Sequence, residues 1–206
     1  LLEGAFWLSK YQYPDLQQNE VFDLINQMVD ECATLMRNPL PPLENIRIIN
    51  HVVYQVNKFS GSRSGFFTPQ NFYFNNAIHR QKGNPLSLGL IYIVVAQRLN
   101  LPVYGTNLPV NYLLGYWAAS PTGQPAQTPV QFFINPYSNG SPLSQTEVMQ
   151  FLKKQNITPG PEQFAPMGNT QIILRFINNL IFAYDQMGYP YKVRPLTKLK
   201  TTLMEA

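Results

Sequence analysis

The stretch from Pro85 to Asn100 limits most tightly how this chain can fold. Leu86, Leu88, Leu90, Ile91, Ile93, Val94, Val95 and Ala96 make it apolar nearly all round. A helix of that kind cannot lie on a surface and must be wrapped by other elements. Asn84 suits an N-cap and Pro85 suits the first helical position, where its missing N–H costs nothing. The sequence therefore predicts a central, buried helix with the other elements built around it.

On the N-terminal side the pattern is helical from Leu1 to Leu40, with Phe22, Ile25, Met28, Val29, Cys32, Leu35 and Met36 on one face. Asn38-Pro39 and Pro41-Pro42 end that run. A second helix is predicted over 43–59, its buried stripe formed by Ile46, Ile49, Val52, Val53 and Val56. A loop follows over 60–65, then a short helix over 71–80. Beyond Leu101-Pro102 the period changes. The segments 103–106, 111–117 and 130–135 read as strands, rich in aromatic and β-branched residues, with a hairpin loop over 119–128. Ser144 and Glu147 are spaced as a capping box for a surface helix ending at Lys154. A Pro/Gly linker over 158–168 leads to an antiparallel helix pair, 169–186 and 191–203, with Gly188 as a C-cap. The expected fold class is α+β: a helical N-terminal half, a buried central helix on a small antiparallel sheet, and a C-terminal helix pair. The expected division is a domain over 1–157, a linker over 158–168 and a helical hairpin over 169–206.

Composition narrows the function classes. Apolar residues are 45% of the 206 and charged residues only 13%, which supports a sizeable core and argues against charge-driven disorder. The formal charge of +4 is mildly basic. Lys192, Arg194, Lys198 and Lys200 gather near the end, and the reading is a solvated helix rather than a nucleic-acid stripe. The single cysteine, Cys32, excludes an intrachain disulfide. No apolar run is long enough for a membrane span and no secretory signal is recognisable, so the expectation is a cytoplasmic protein that binds neither membrane nor nucleic acid. Gly61, Gly65 and Gly83 fit no phosphate-loop spacing.

Three stretches carry a resemblance. They are Arg80-Gln81-Lys82-Gly83-Asn84-Pro85-Leu86-Ser87-Leu88-Gly89, then Leu101-Pro102-Val103-Tyr104-Gly105-Thr106-Asn107-Leu108-Pro109, then Phe133-Ile134-Asn135-Pro136-Tyr137. In this order they resemble the SirB-like branch of the transglutaminase-like superfamily, from the first residue to about Gly140. The final helix pair resembles the tetratricopeptide-like tail that follows in such proteins. The family pattern is a glycine-led helix start, a Gly-rich strand ending in Leu-Pro-x-His-Phe, and a strand ending in Asp-Pro-Phe. The resemblance implies a Cys-His-Asp triad and no cofactor.

The triad positions are where the sequence departs. The resemblance places Pro85 at the nucleophile position, to within two residues, with Ser87 the nearby hydroxyl. Asn111 stands at the His position and Asn135 at the Asp position. A thiol at a helix N-terminus is activated by the helix dipole, a His takes its proton, and an Asp orients the imidazole. An amide does not titrate in the useful range. Loss of a triad member costs on the order of 10⁴-fold, so loss of all three predicts abandoned chemistry.

Other residues offer no replacement. Cys32 sits in an apolar stripe and reads as inert packing. His51 lies on an apolar helix and His79 at a helix end, and with Cys32 they give no metal-ligand spacing. Asn111 and Asn135 could bond one another or a ligand amide. Phe66, Phe67, Phe72, Tyr73 and Phe74 read as a lid over the central helix, with a carbohydrate or peptide stacking platform as the sharper alternative. The expectation is a catalytically dead binding or scaffolding domain with a protein or peptide partner. A hydrolase using Ser87, or a module whose function lies in a missing region, are the alternatives.

Overall fold

A computed structural model describes residues 1–62, 68–109, 112–118 and 129–205. Four helices precede the central one: α1 (Leu2–Gln12), α2 (Asn19–Leu35), α3 (Pro42–Asn50) and α4 (Phe74–Arg80). The single helical run expected over 1–40 is two helices, because Pro14 lies in the turn between them and cannot extend a hydrogen-bond ladder. At the end of α2, Leu35 is 51% exposed instead of joining the buried stripe.

The helix expected over 43–59 changes type midway. α3 runs into a π-helical turn, His51–Val56. Its i→i+5 bonding adds residues per turn and rotates the side chains that follow. Val52 and Val53 are buried while Val56 turns outward, 47% exposed, against the stripe read from a constant helical period.

α5 (Pro85–Arg98) is the centre of the molecule, with every residue from Leu86 to Ala96 buried. Asn84 caps it through its side chain, with Pro85 in the first turn, as expected. A short parallel pair, β1 (Ser60–Gly61) and β2 (Lys82–Gly83), lies just before its start. A four-stranded antiparallel meander covers one flank: β3 (Val103–Gly105), β4 (Leu114–Trp117), β5 (Val130–Asn135) and β6 (Ser141–Leu143). Leu114 faces Ile134 and Gly115 faces Phe133 across the β4–β5 ladder. β6 is an addition to the expected strands, and Pro142 within it brings no ladder donor. It is tolerated since β6 is an edge, where a missing donor leaves no ladder bond unmade.

α6 (Gln145–Lys154) carries the capping box predicted at Ser144 and Glu147. The segment 158–168 contains a 3₁₀ turn, Pro161–Phe164, and bonds to the β3 edge through Met167 N–H and the Gly105 carbonyl at 2.8 Å. α7 (Asn169–Gln186) and α8 (Pro190–Glu205) follow. Ile172, Phe176, Ile177, Leu180 and Leu196 join the same core cluster as α5, so one hydrophobic core runs across the boundary expected at 158–168. A smaller cluster of Leu108, Leu113, Phe133, Val148 and Leu152 lies under α6. Among the described residues no helix is long and apolar enough to cross a membrane.

Candidate functional site

The start of α5 follows from local chemistry. Asn84 Oδ1 accepts the Ser87 N–H at 2.9 Å, which satisfies a donor that the first helical turn leaves open. The Ser87 hydroxyl lies 3.1 Å from Asn84 Oδ1 and 3.2 Å from the Asn84 carbonyl. Ser87 is wholly buried, and a Cβ on Gly83 would overlap its hydroxyl. Among the described residues its hydroxyl has hydrogen-bond partners only on Asn84, and no imidazole, carboxylate or amine reaches it. Asn84 Nδ2 is buried without a partner among those residues.

Asn135 ends β5. Its Oδ1 accepts from Tyr137 N–H at 3.1 Å and Ser138 N–H at 3.3 Å, capping the 3₁₀ turn Pro136–Ser138. That turn is tied to the helices beneath. Tyr54 donates its hydroxyl to the Pro136 carbonyl at 2.8 Å, and Asn50 Nδ2 donates to the Gly140 carbonyl at 2.9 Å. Tyr92 of α5 in turn donates to Asn50 Oδ1 at 2.8 Å. The chain ending at Asn135 is thereby anchored to α3, its π-helical extension and α5.

Asn111 lies outside the described residues, as do Phe66 and Phe67. The next residue, Tyr112, packs its ring against α5 at Gly89, where a Cβ would come within 2.6 Å of the ring. Burial pushes its phenol well above the usual tyrosine range. Arg175 of α7 lies over that ring and donates to the Leu108 carbonyl at 3.1 Å and the Thr106 carbonyl at 3.4 Å. Of the aromatic run, Phe72, Tyr73 and Phe74 are buried. Tyr73 pairs with Tyr184 of α7 through their hydroxyls at 3.1 Å, so this part of the run locks α7 to the core.

The remaining candidates stand apart from Ser87. Cys32 is fully buried on α2, and burial, with the Glu31 charge beside it, pushes its thiol up to about 12. His51 bonds Gln55 within its own helix, and His79 faces Glu20 at 3.7 Å on the surface. Among the described residues no group of His, Cys, Asp or Glu could hold a metal ion. Sequence reasoning missed Asn50, Tyr54 and Arg175. Each is a polar residue whose partner is distant in the chain, so no local pattern marks it.

The family model of the transglutaminase-like superfamily matches residues 19–178. A UPF0162 protein of Xylella fastidiosa is 26% identical over 194 residues, covering 89% of this chain and 64% of the relative. A UPF0162 protein of Vibrio cholerae is 25% identical over 181 residues, 86% of this chain and 63% of the relative. F-box only protein 21 of Mus musculus is 25% identical over 202 residues, 87% of this chain but 32% of the relative. The chain thus spans less than two thirds of the length of these relatives. No solved structure matches it. With the matched region running from α2 into α7 and taking in the α5 start and the end of β5, the chain belongs to the transglutaminase-like superfamily.

Proposed function

We propose that this domain keeps the transglutaminase-like fold without its chemistry and serves as a binding or scaffolding module of the SirB-like branch. In this reading Pro85, Ser87, Asn111 and Asn135 mark the old active-site positions. The α7–α8 pair acts as a tetratricopeptide-like tail that adds partner surface. Phe182, Tyr191 and Met204, exposed along those helices, suit such a role. The observation that carries the reading is the surroundings of Ser87: a buried hydroxyl in capping contact with Asn84, without a base among the described residues. A serine needs an adjacent base to attack a carbonyl, and an amide cannot supply one. Asn135 supports the reading too, since its Oδ1 serves its own turn. The mouse relative carries the matched region within a much longer chain, which suits a module that works through attached parts.

The test is a turnover assay on the purified protein with amide and ester substrates and with amine acceptors for transamidation. The expected result is no turnover above buffer, unchanged in Ser87→Ala. Turnover that disappears in Ser87→Ala would replace this reading with a hydrolase.

A further inference from the structure

We propose that the cavity beside the start of α5 binds an acidic peptide segment through its carboxylates. The cavity has a volume of about 640 Å³. Gly61 and Ser62 line it beside Tyr137, and Arg80 and Lys82 bring its charge. Its walls come from the chain on either side of the old active-site positions. Lys82 precedes Pro85 by one short strand and a cap, and Tyr137 lies in the turn that Asn135 caps.

Charge gives the ligand its sign. Among the described residues no acidic side chain lines the cavity, and neither Arg80 nor Lys82 forms an ion pair. Arg80 is held in place by Nη1 donating to the buried Asn71 at 3.3 Å. A guanidinium has five donors, and that bond uses one of them. Arginine beside a carboxylate forms parallel, charge-assisted bonds, and Lys82 supplies a second cation one residue beyond Gln81.

Shape argues for a peptide over a bare oxyanion. The volume lies in the range of organic ligand sites and far exceeds a phosphate ion. The Tyr137 ring lies flush on the Gly61 backbone, where a Cβ would come within 2.6 Å of the ring. The tyrosine hydroxyl donates to the Ser62 carbonyl at 2.8 Å, so this wall is fixed and offers a face for the methylenes of a glutamate. The inference rests on the binding reading above for the nature of the partner, a protein segment.

Fluorescence anisotropy of a labelled hexaglutamate peptide against the full 206-residue chain tests it, with hexaglutamine as the uncharged comparison. Hexaglutamate is expected to bind and hexaglutamine to bind at least tenfold more weakly. Arg80→Gln and Lys82→Gln should each weaken hexaglutamate roughly tenfold, the worth of one charge-assisted hydrogen bond. The double variant should abolish binding, while Lys153→Gln with Lys154→Gln on α6 leaves it unchanged. Both cavity cations are exposed, and circular dichroism checks that the variants fold. Absent hexaglutamate binding, or equal binding by the double variant, overturns the proposal. So does displacement by equimolar inorganic phosphate, which would mark a plain oxyanion site. Serine-dependent turnover would sink the non-catalytic reading and leave these affinities as they are, so the two failures are distinguishable.

Discussion

The Arg175 guanidinium lies 5.0 Å from the centre of the Tyr112 ring, and the same group donates to the Thr106 and Leu108 carbonyls. One side chain of α7 thus clamps the chain just beyond β3, at Thr106 and Leu108. Burial lowers the Arg175 pKa but leaves an arginine charged at any ordinary pH. Arg175→Met keeps the stem, removes the donors and strands two carbonyls. The expected loss is about 1–3 kcal/mol in a urea titration. Arg175→Lys should recover only part of it, since an ammonium lacks the planar fork that spans both carbonyls. A full rescue by lysine would show that charge alone matters there.

Gly140 follows β5 at φ +69°, a conformation that side chains rarely adopt. A Cβ there would also overlap the Asn50 side chain, which donates to the Gly140 carbonyl and accepts from Tyr92. Gly140→Ala therefore combines backbone strain with loss of the tie to α5. A destabilisation of about 2–4 kcal/mol is expected, read as a fall in the urea midpoint. Asn50→Ala in the same background should cost much less than it does alone, because the two changes break one network. Additive costs would separate the strain from the network.

The central helix was legible because three local signals agree at one place: a capping Asn84, a first-turn Pro85 and an unbroken apolar face. The capping box at Ser144 was legible for the same reason. What escaped is non-local. β6 contains Pro142, and only the sheet order shows that this strand stands at an edge. The π-helical turn at His51–Val56 rotates Val56 outward without any change in residue type to announce it. Asn135 could be placed at the Asp position by resemblance, but its service as a cap depends on the turn that follows. Arg175 finds its carbonyls far upstream in the chain, and no periodicity encodes that meeting.

Asn84 and Ser87 share a cap, but their roles are unequal. Asn84 Oδ1 satisfies a backbone donor, whereas the Ser87 hydroxyl only adds to a carbonyl and an amide already in place. Asn84→Ala is expected to cost about 1–2 kcal/mol, with Asn84→Asp recovering most of it at neutral pH, where a carboxylate also favours the helix N-terminus. Ser87→Ala should change stability by less than about 1 kcal/mol. Thermal melts of the three variants check the order. A Ser87→Ala cost as large as that of Asn84→Ala would mean that the hydroxyl, rather than the amide, holds the cap.

Cys32 makes an alkaline test of the core. Its thiol is fully buried against apolar neighbours, and burial raises its pKa from 9.0 to about 12. The unfolded chain therefore releases this proton first. The contribution of the neutral thiol is complete below pH 9.0 and is lost as pH rises toward 12. Tyr54, Tyr73 and Tyr92, also raised by burial, add to the same loss at higher pH. Stability from urea titrations should hold level up to about pH 9 and then fall, and Cys32→Val should flatten the first part of that fall. A thiol reagent should label the native protein slowly and the urea-unfolded protein fast, because attack needs an exposed thiolate. Labelling of the native protein at the unfolded rate would place Cys32 at the surface and return it to consideration as a nucleophile.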